Sequence, residues 1–137
     1  DKGLRNTAFN GNYVFNLLGG KEFKINQKHI ISIDLRGTYA GGKRYSPINL
    51  NASILANEEV RDGQQAFENK YPDYFRLDVK PGYRYNSKRV THEFSVDIQN
   101  ITRHLNVFQQ SYDIANKTIK TDYQLRFFVI PQYRVLF

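Results

Sequence analysis

Apolar and polar residues alternate with a period of two along most of the chain, which predicts β-strands with two distinct faces. Phe9, Gly11, Tyr13, Phe15 and Leu17 share one parity, and Ala8, Asn10, Asn12, Val14 and Asn16 take the other. Ile31, Ile33, Leu35, Gly37 and Tyr39 oppose Ser32, Asp34, Arg36 and Thr38. A third segment sets Phe75, Leu77, Val79, Pro81, Tyr83 and Tyr85 against Tyr74, Arg76, Asp78, Lys80 and Arg84. Phe94, Val96 and Ile98 alternate with Glu93, Ser95, Asp97 and Gln99. In the last segment Val129, Pro131, Tyr133, Val135 and Phe137 oppose Ile130, Gln132, Arg134 and Leu136. The expected fold is all-β, an antiparallel meander of about five strands, each near the ~9–11 residues that a tilted strand needs to cross a bilayer.

Two features favour lipid outside the strands over a soluble core. Full charges stand on the polar parity, at Asp34, Arg36, Arg76, Asp78, Lys80, Asp97 and Arg134, as a wet or plugged lumen permits. Tyr39, Phe75, Tyr83, Tyr85, Tyr133 and Phe137 gather near strand ends, where an interfacial girdle sits. A soluble sandwich alternates as well, with its charged face in water, so alternation alone leaves both architectures open.

The connections are of two kinds. Gly19 to Lys28 reads as a moderate polar turn and Asn86-Ser87-Lys88-Arg89 as a tight one. Gly41 to Asp73 and Ile101 to Tyr123 read as long loops, the first with a helical turn or two expected over Glu58 to Phe67. Short turns on one side and long loops on the other are the pattern of outer-membrane barrels.

Composition narrows the picture without redirecting it. The 137 residues suggest one structural unit, and the aromatic share of 15% suits strands. Mean hydropathy is −0.62 and no apolar run of about 18 residues exists, which excludes a transmembrane helix but not barrel strands. Without cysteine there is no disulfide, thiolate metal site or thiol catalysis. The chain has no Met and opens on Asp1-Lys2-Gly3-Leu4, so a processed product or a fragment is expected. The net charge of +7 comes from Lys and Arg spread along the chain, not from a dense cluster. Solvated polar faces are therefore expected rather than nucleic acid, with anionic lipid headgroups or lipopolysaccharide at a barrel rim as the sharper alternative.

Chemistry-bearing constellations are sparse. His29, His92 and His104 lack metal-ligand spacing and read as solvated or interfacial. Glu58, Glu59 and Asp62 form an acidic knot without the order of a calcium loop. No serine sits in a nucleophile elbow and no Gly-rich loop precedes a helix, so neither an enzyme nor a cofactor is expected. Lys43, Arg44, Tyr45 and Arg103 are candidates for ligand or lipopolysaccharide contact, set against solvated loops. The polar-face charges read as ion pairs or contacts to a plug.

The final Tyr133-Arg134-Val135-Leu136-Phe137 resembles the C-terminal signal of bacterial outer-membrane proteins, which the barrel assembly machinery reads. Thr38 to Ile48, Tyr71 to Asp78 and Thr91 to Thr102 resemble late strands and loops of TonB-dependent receptors from Bacteroidetes-type bacteria. Tyr123-Gln124-Leu125 leading into Phe137 looks like the end of that family. The resemblance runs from about Thr7 to Phe137. It implies a plugged barrel of about 22 strands in the bacterial outer membrane, importing a nutrient, of which this chain supplies the last strands. It further implies an assembly signal at Tyr133, Val135 and Phe137. The implied partners are outer-membrane lipid, lipopolysaccharide, the assembly machinery, the remainder of the receptor with its plug and, through those missing parts, an energy-coupling complex. Two other readings stand beside it. A complete small barrel requires at least about eight strands, and a soluble β-sandwich or calycin-like binding module would use the Tyr/Phe face as its core.

Overall fold

The computed structural model describes residues 6–137. In chain order its elements are β1 (Val14–Lys24), β2 (His29–Ala40), β3 (Arg44–Tyr45), α1 (Leu50–Ala56) and β4 (Asn69–Lys70). There follow β5 (Tyr74–Asn86), β6 (Thr91–Gln99), β7 (Val107–Asp113), β8 (Thr118–Tyr123) and β9 (Phe128–Leu136). The five long strands form one sheet in the order β1-β2-β5-β6-β9, and β3-β4 and β7-β8 are separate two-stranded pairs. The chain is thus all-β, an antiparallel meander in which each long strand pairs with the next one along the chain.

The described residues divide into two compact units. One is the sheet, made of Phe15–Tyr39, Phe75–His104 and Leu125–Phe137. Its turns are set locally. Asn26 Oδ1 accepts the Lys28 and His29 amides at 2.9 Å each, closing β1 onto β2. Lys88-Arg89 is a two-residue turn flanked by Ser87, whose N–H donates to the Val90 carbonyl at 2.9 Å. The Asn86 N–H donates to the Lys28 carbonyl at 2.8 Å, so the two turns lie side by side. Register is continuous from Thr91↔Leu136 to Gln99↔Phe128 between β6 and β9.

The other unit comprises the described residues up to Val14, with Ala40–Tyr74 and Leu105–Gln124. The buried hydrophobic side chains among the described residues, Ile48, Tyr71 and Tyr112, all belong to it. Tyr71 stacks on Tyr45 at 4.0 Å, and its hydroxyl accepts the Gln110 N–H at 2.9 Å. Arg61 donates to the Ser46 and Gln110 carbonyls, and Glu59 Oε2 accepts the Tyr112 N–H at 3.0 Å. Desolvation pushes the Tyr71 phenol above its ordinary value. Gly42 admits no side chain, because a Cβ there would run into the Tyr71 carbonyl.

Three sequence expectations are corrected. The first strand does not cover residues 8–13, because Asn12 turns left-handed at φ 75°; it starts at Val14 and runs through Gly19-Gly20 to Lys24. The α-helix of the first long loop is Leu50–Ala56, where the sequence predicted none, and the expected helical segment over Glu58 to Phe67 is reduced to a turn at residues 64–68. Asn49 caps the helix through the Ala52 N–H at 3.0 Å, and left-handed Asn57 at φ 53° ends it. Ser53, fully buried, accepts the Val60 N–H at 3.0 Å and holds the return. The second long stretch, read as a loop, contains the β7–β8 hairpin. Asp113 stabilises its turn by accepting the Ala115 and Asn116 amides at 3.0 and 3.1 Å.

Candidate functional site

The sheet unit has two chemically opposite faces, and the register assigns each residue to one of them. A Cβ on Gly37 would lie 3.8 Å from both Leu17 and Leu77, so one parity of β1, β2 and β5 lies together. A Cβ on Gly20 would meet Asp34, and one on Gly82 the Ser32 hydroxyl, which fixes the other parity. Across β5, β6 and β9, Tyr83↔Phe94↔Tyr133 continues the first face and Arg84↔Glu93↔Arg134 the second.

The polar face brings together the charges singled out by the alternation. Asp78 is its centre, only 4% exposed. Arg36 Nη2 reaches Asp78 Oδ2 at 2.6 Å and Arg76 Nε reaches Oδ1 at 2.7 Å, while the Asn100 N–H donates to Oδ1 at 2.9 Å. Three donors therefore compensate one desolvated carboxylate. Asp34, Lys80 and Asp97 line the same shallow depression as Arg36 and Asp78. Arg134 joins a second network nearer the short turns. Glu93 accepts from Arg84 at 2.8 Å and lies 3.5 Å from Arg134, and Arg84 lies 3.6 Å from Glu22. Register and contacts put these seven charged residues on one face of the sheet.

On the opposite face apolar side chains stand in the open. Phe15, Leu17, Ile31, Ile33, Leu35, Phe94 and Val129 are exposed, and the described part of the sheet unit contains no buried hydrophobic residue. At the short-turn end this face carries a row of rings. His29 Nδ1 lies 2.6 Å from the Tyr83 hydroxyl, and His92 Nδ1 lies 2.8 Å from that of Tyr133. Tyr85 stands between the imidazoles, at 4.9 Å from His29 and 6.1 Å from His92. Tyr133 and Val135 of the expected assembly signal lie on this face, and Phe137 is fully exposed beyond β9.

The four loop candidates have structural engagements. Arg44 donates to the Phe67 and Glu68 carbonyls at 3.4 and 3.2 Å, and Tyr45 is stacked on Tyr71. The Lys43 ammonium lies 5.7 Å from the centre of the Phe108 ring. Arg103 belongs to the sheet unit and places its guanidinium 5.3 Å from the centre of Phe127. Among the described residues no group of acidic and histidine side chains is arranged to hold a metal ion.

Two elements of this site went unread in the sequence. Asn100, 1% exposed and left-handed at φ 50°, binds both the N–H and the carbonyl of His104 through its side chain, at 3.1 and 2.9 Å. Its position directly after a strand, in a residue type that tolerates this conformation, was the available signal. The Glu22–Arg84–Glu93–Arg134 chain and the His–Tyr row depend on cross-strand register, which parity alone does not supply. Comparison with protein-family models, with curated proteins and with solved structures returned no match.

Proposed function

We propose that this chain forms part of the wall of a TonB-dependent outer-membrane transporter for energised nutrient uptake. The supporting observation is the sheet unit itself. Its long strands pair in chain order, one face is knitted by Arg36–Asp78–Arg76 and Glu22–Arg84–Glu93–Arg134, and the other leaves its aliphatic and aromatic side chains exposed. Water penalises such an apolar face at about 25 cal/mol per Å², whereas acyl chains accept it without cost. Strands that face lipid on one side and a polar lumen on the other require this arrangement. A soluble binding module would need a second layer over the same side chains.

Both edge strands fit that role. β1 and β9 are eleven and nine residues long, and each has one side without a neighbour in the sheet. Inside a barrel those backbone groups pair with further strands of the same receptor, because lipid cannot satisfy them. The polar networks then face the lumen and its plug. The Lys43-Arg44-Tyr45 segment and Arg103 serve the outer loops, which capture ligand or touch lipopolysaccharide. Tyr133, Val135 and Phe137 serve recognition by the assembly machinery. The chain performs no chemistry of its own, and energy reaches the transporter through the plug and its coupling complex.

Immunoblotting of fractionated source cells with an antibody against the Gly42–Asp73 loop tests this function. The expected result is an outer-membrane band several times heavier than 16.1 kDa. A 16 kDa band in the soluble fraction would overturn it.

A further inference from the structure

The short-turn end of the apolar face combines rings with cations. Lys28 and the Lys88-Arg89 pair are exposed in turns that the Asn86–Lys28 hydrogen bond holds side by side. Lys21 lies on the apolar face itself, its ammonium 5.2 Å from the centre of the Phe23 ring. The acids nearest this end, Glu22 and Glu93, lie on the other face and are paired with Arg84 and Arg134. Among the described residues no Asp or Glu side chain stands on the ring side of this end, so its side-chain charge is cationic.

The ring row adds directed donors. Where the tyrosine hydroxyl donates to Nδ1, the imidazole proton sits on Nε2. No described residue hydrogen-bonds Nε2 of His29 or His92, so in that tautomer both Nε2–H groups are open to an acceptor beside the turns. An acceptor that sits at the boundary of an apolar surface and carries negative charge is the phosphodiester of a membrane lipid.

We propose that this end of the sheet selectively binds the headgroup of an anionic phospholipid. Lys28, Lys88 and Arg89 supply the charge, His29 and His92 direct hydrogen bonds, and Phe94 and Tyr85 contact the upper acyl chain. The inference rests on the membrane-facing reading of the apolar face.

The chain contains no tryptophan, so Phe94→Trp introduces a single tryptophan within the row, excited selectively over the tyrosines. The assembled receptor that contains the chain, with this as its one tryptophan, is reconstituted in bilayers of mixed phosphatidylcholine and phosphatidylglycerol. Bromine is carried on one lipid at a time at the same mole fraction. Brominated phosphatidylglycerol is expected to quench at least about twice as strongly as brominated phosphatidylcholine, an excess that salt reduces. Lys28→Gln/Lys88→Gln/Arg89→Gln is expected to abolish the excess while quenching by brominated phosphatidylcholine persists, which shows that the variant still inserts. Equal quenching by the two lipids, or an excess that survives the triple substitution, overturns the inference and leaves the membrane reading intact. Absence of quenching by either lipid overturns both.

Discussion

Asn100 shows how much one residue carries at the end of a strand. Its backbone N–H completes the shell of Asp78, its side chain closes the turn to His104, and its φ of 50° excludes most residue types. Two variants separate these contributions. Asn100→Gly keeps the conformation and loses the side-chain bonds, at an expected cost of about 2 kcal/mol. Asn100→Ala loses the same bonds and must also place a Cβ in the left-handed region, at about 1 kcal/mol more. Chemical unfolding in detergent measures both, and equal stabilities would contradict the assignment. Sequence alone pointed to Asp78 as a polar-face charge. It did not point to Asn100, because the partner that makes Asn100 matter lies 22 residues away.

At the scale of elements, turns follow from local chemistry and strand faces from parity. The Asp113 carboxylate is held below its ordinary 3.8, first by the Asn116 side-chain amide and then by the Asn116 backbone N–H. A lowered carboxylate contributes stability above 3.8 that disappears as pH falls through its folded value. Amide exchange at Ala115 and Asn116 is therefore expected to be slower near pH ~5 than near pH ~2, after correction for intrinsic rates. The opposite order would show that the carboxylate does not hold the turn. Strand faces permit a sharper comparison. Ile33→Arg puts a cation on the apolar face, and Gln132→Arg puts one on the polar face. With lipid outside, the first is expected to cost about 2–4 kcal/mol and the second little. The folded fraction after reconstitution, read from heat-modifiable gel migration, distinguishes them, and equal tolerance would count against lipid contact.

For the whole molecule, the two units divide the work. In the loop unit Tyr71, Tyr112 and Ile48 are buried, and carbonyl-binding Arg44 and Arg61 hold its segments, as in a small water-facing domain. The sheet unit has no such interior and stays incomplete until something apolar covers it. Assembly is where this incompleteness is expected to show. Phe137→Ala removes a fully exposed ring beyond β9 without disturbing a described contact, so under the proposed barrel-wall function folded contacts are preserved and membrane insertion is expected to slow. Pulse–chase labelling of the outer-membrane fraction reads that rate, and an unchanged rate would remove Phe137 from the assembly signal.

The sequence by itself determined the all-β class, four of the five long strands nearly to their ends and the shared parity of the charges on those four strands. Alternation is a one-dimensional property, and a pleated strand converts it directly into faces. The first strand escaped that logic because Asn12 breaks the extended backbone and Gly19-Gly20 imitates a turn inside β1. Only the tertiary structure decided which charges pair and which rings stack, because both depend on the stagger between strands. His29, Tyr85, His92 and Tyr133 span more than 100 residues of chain, and hydrogen bonding across β2, β5, β6 and β9 is what aligns them.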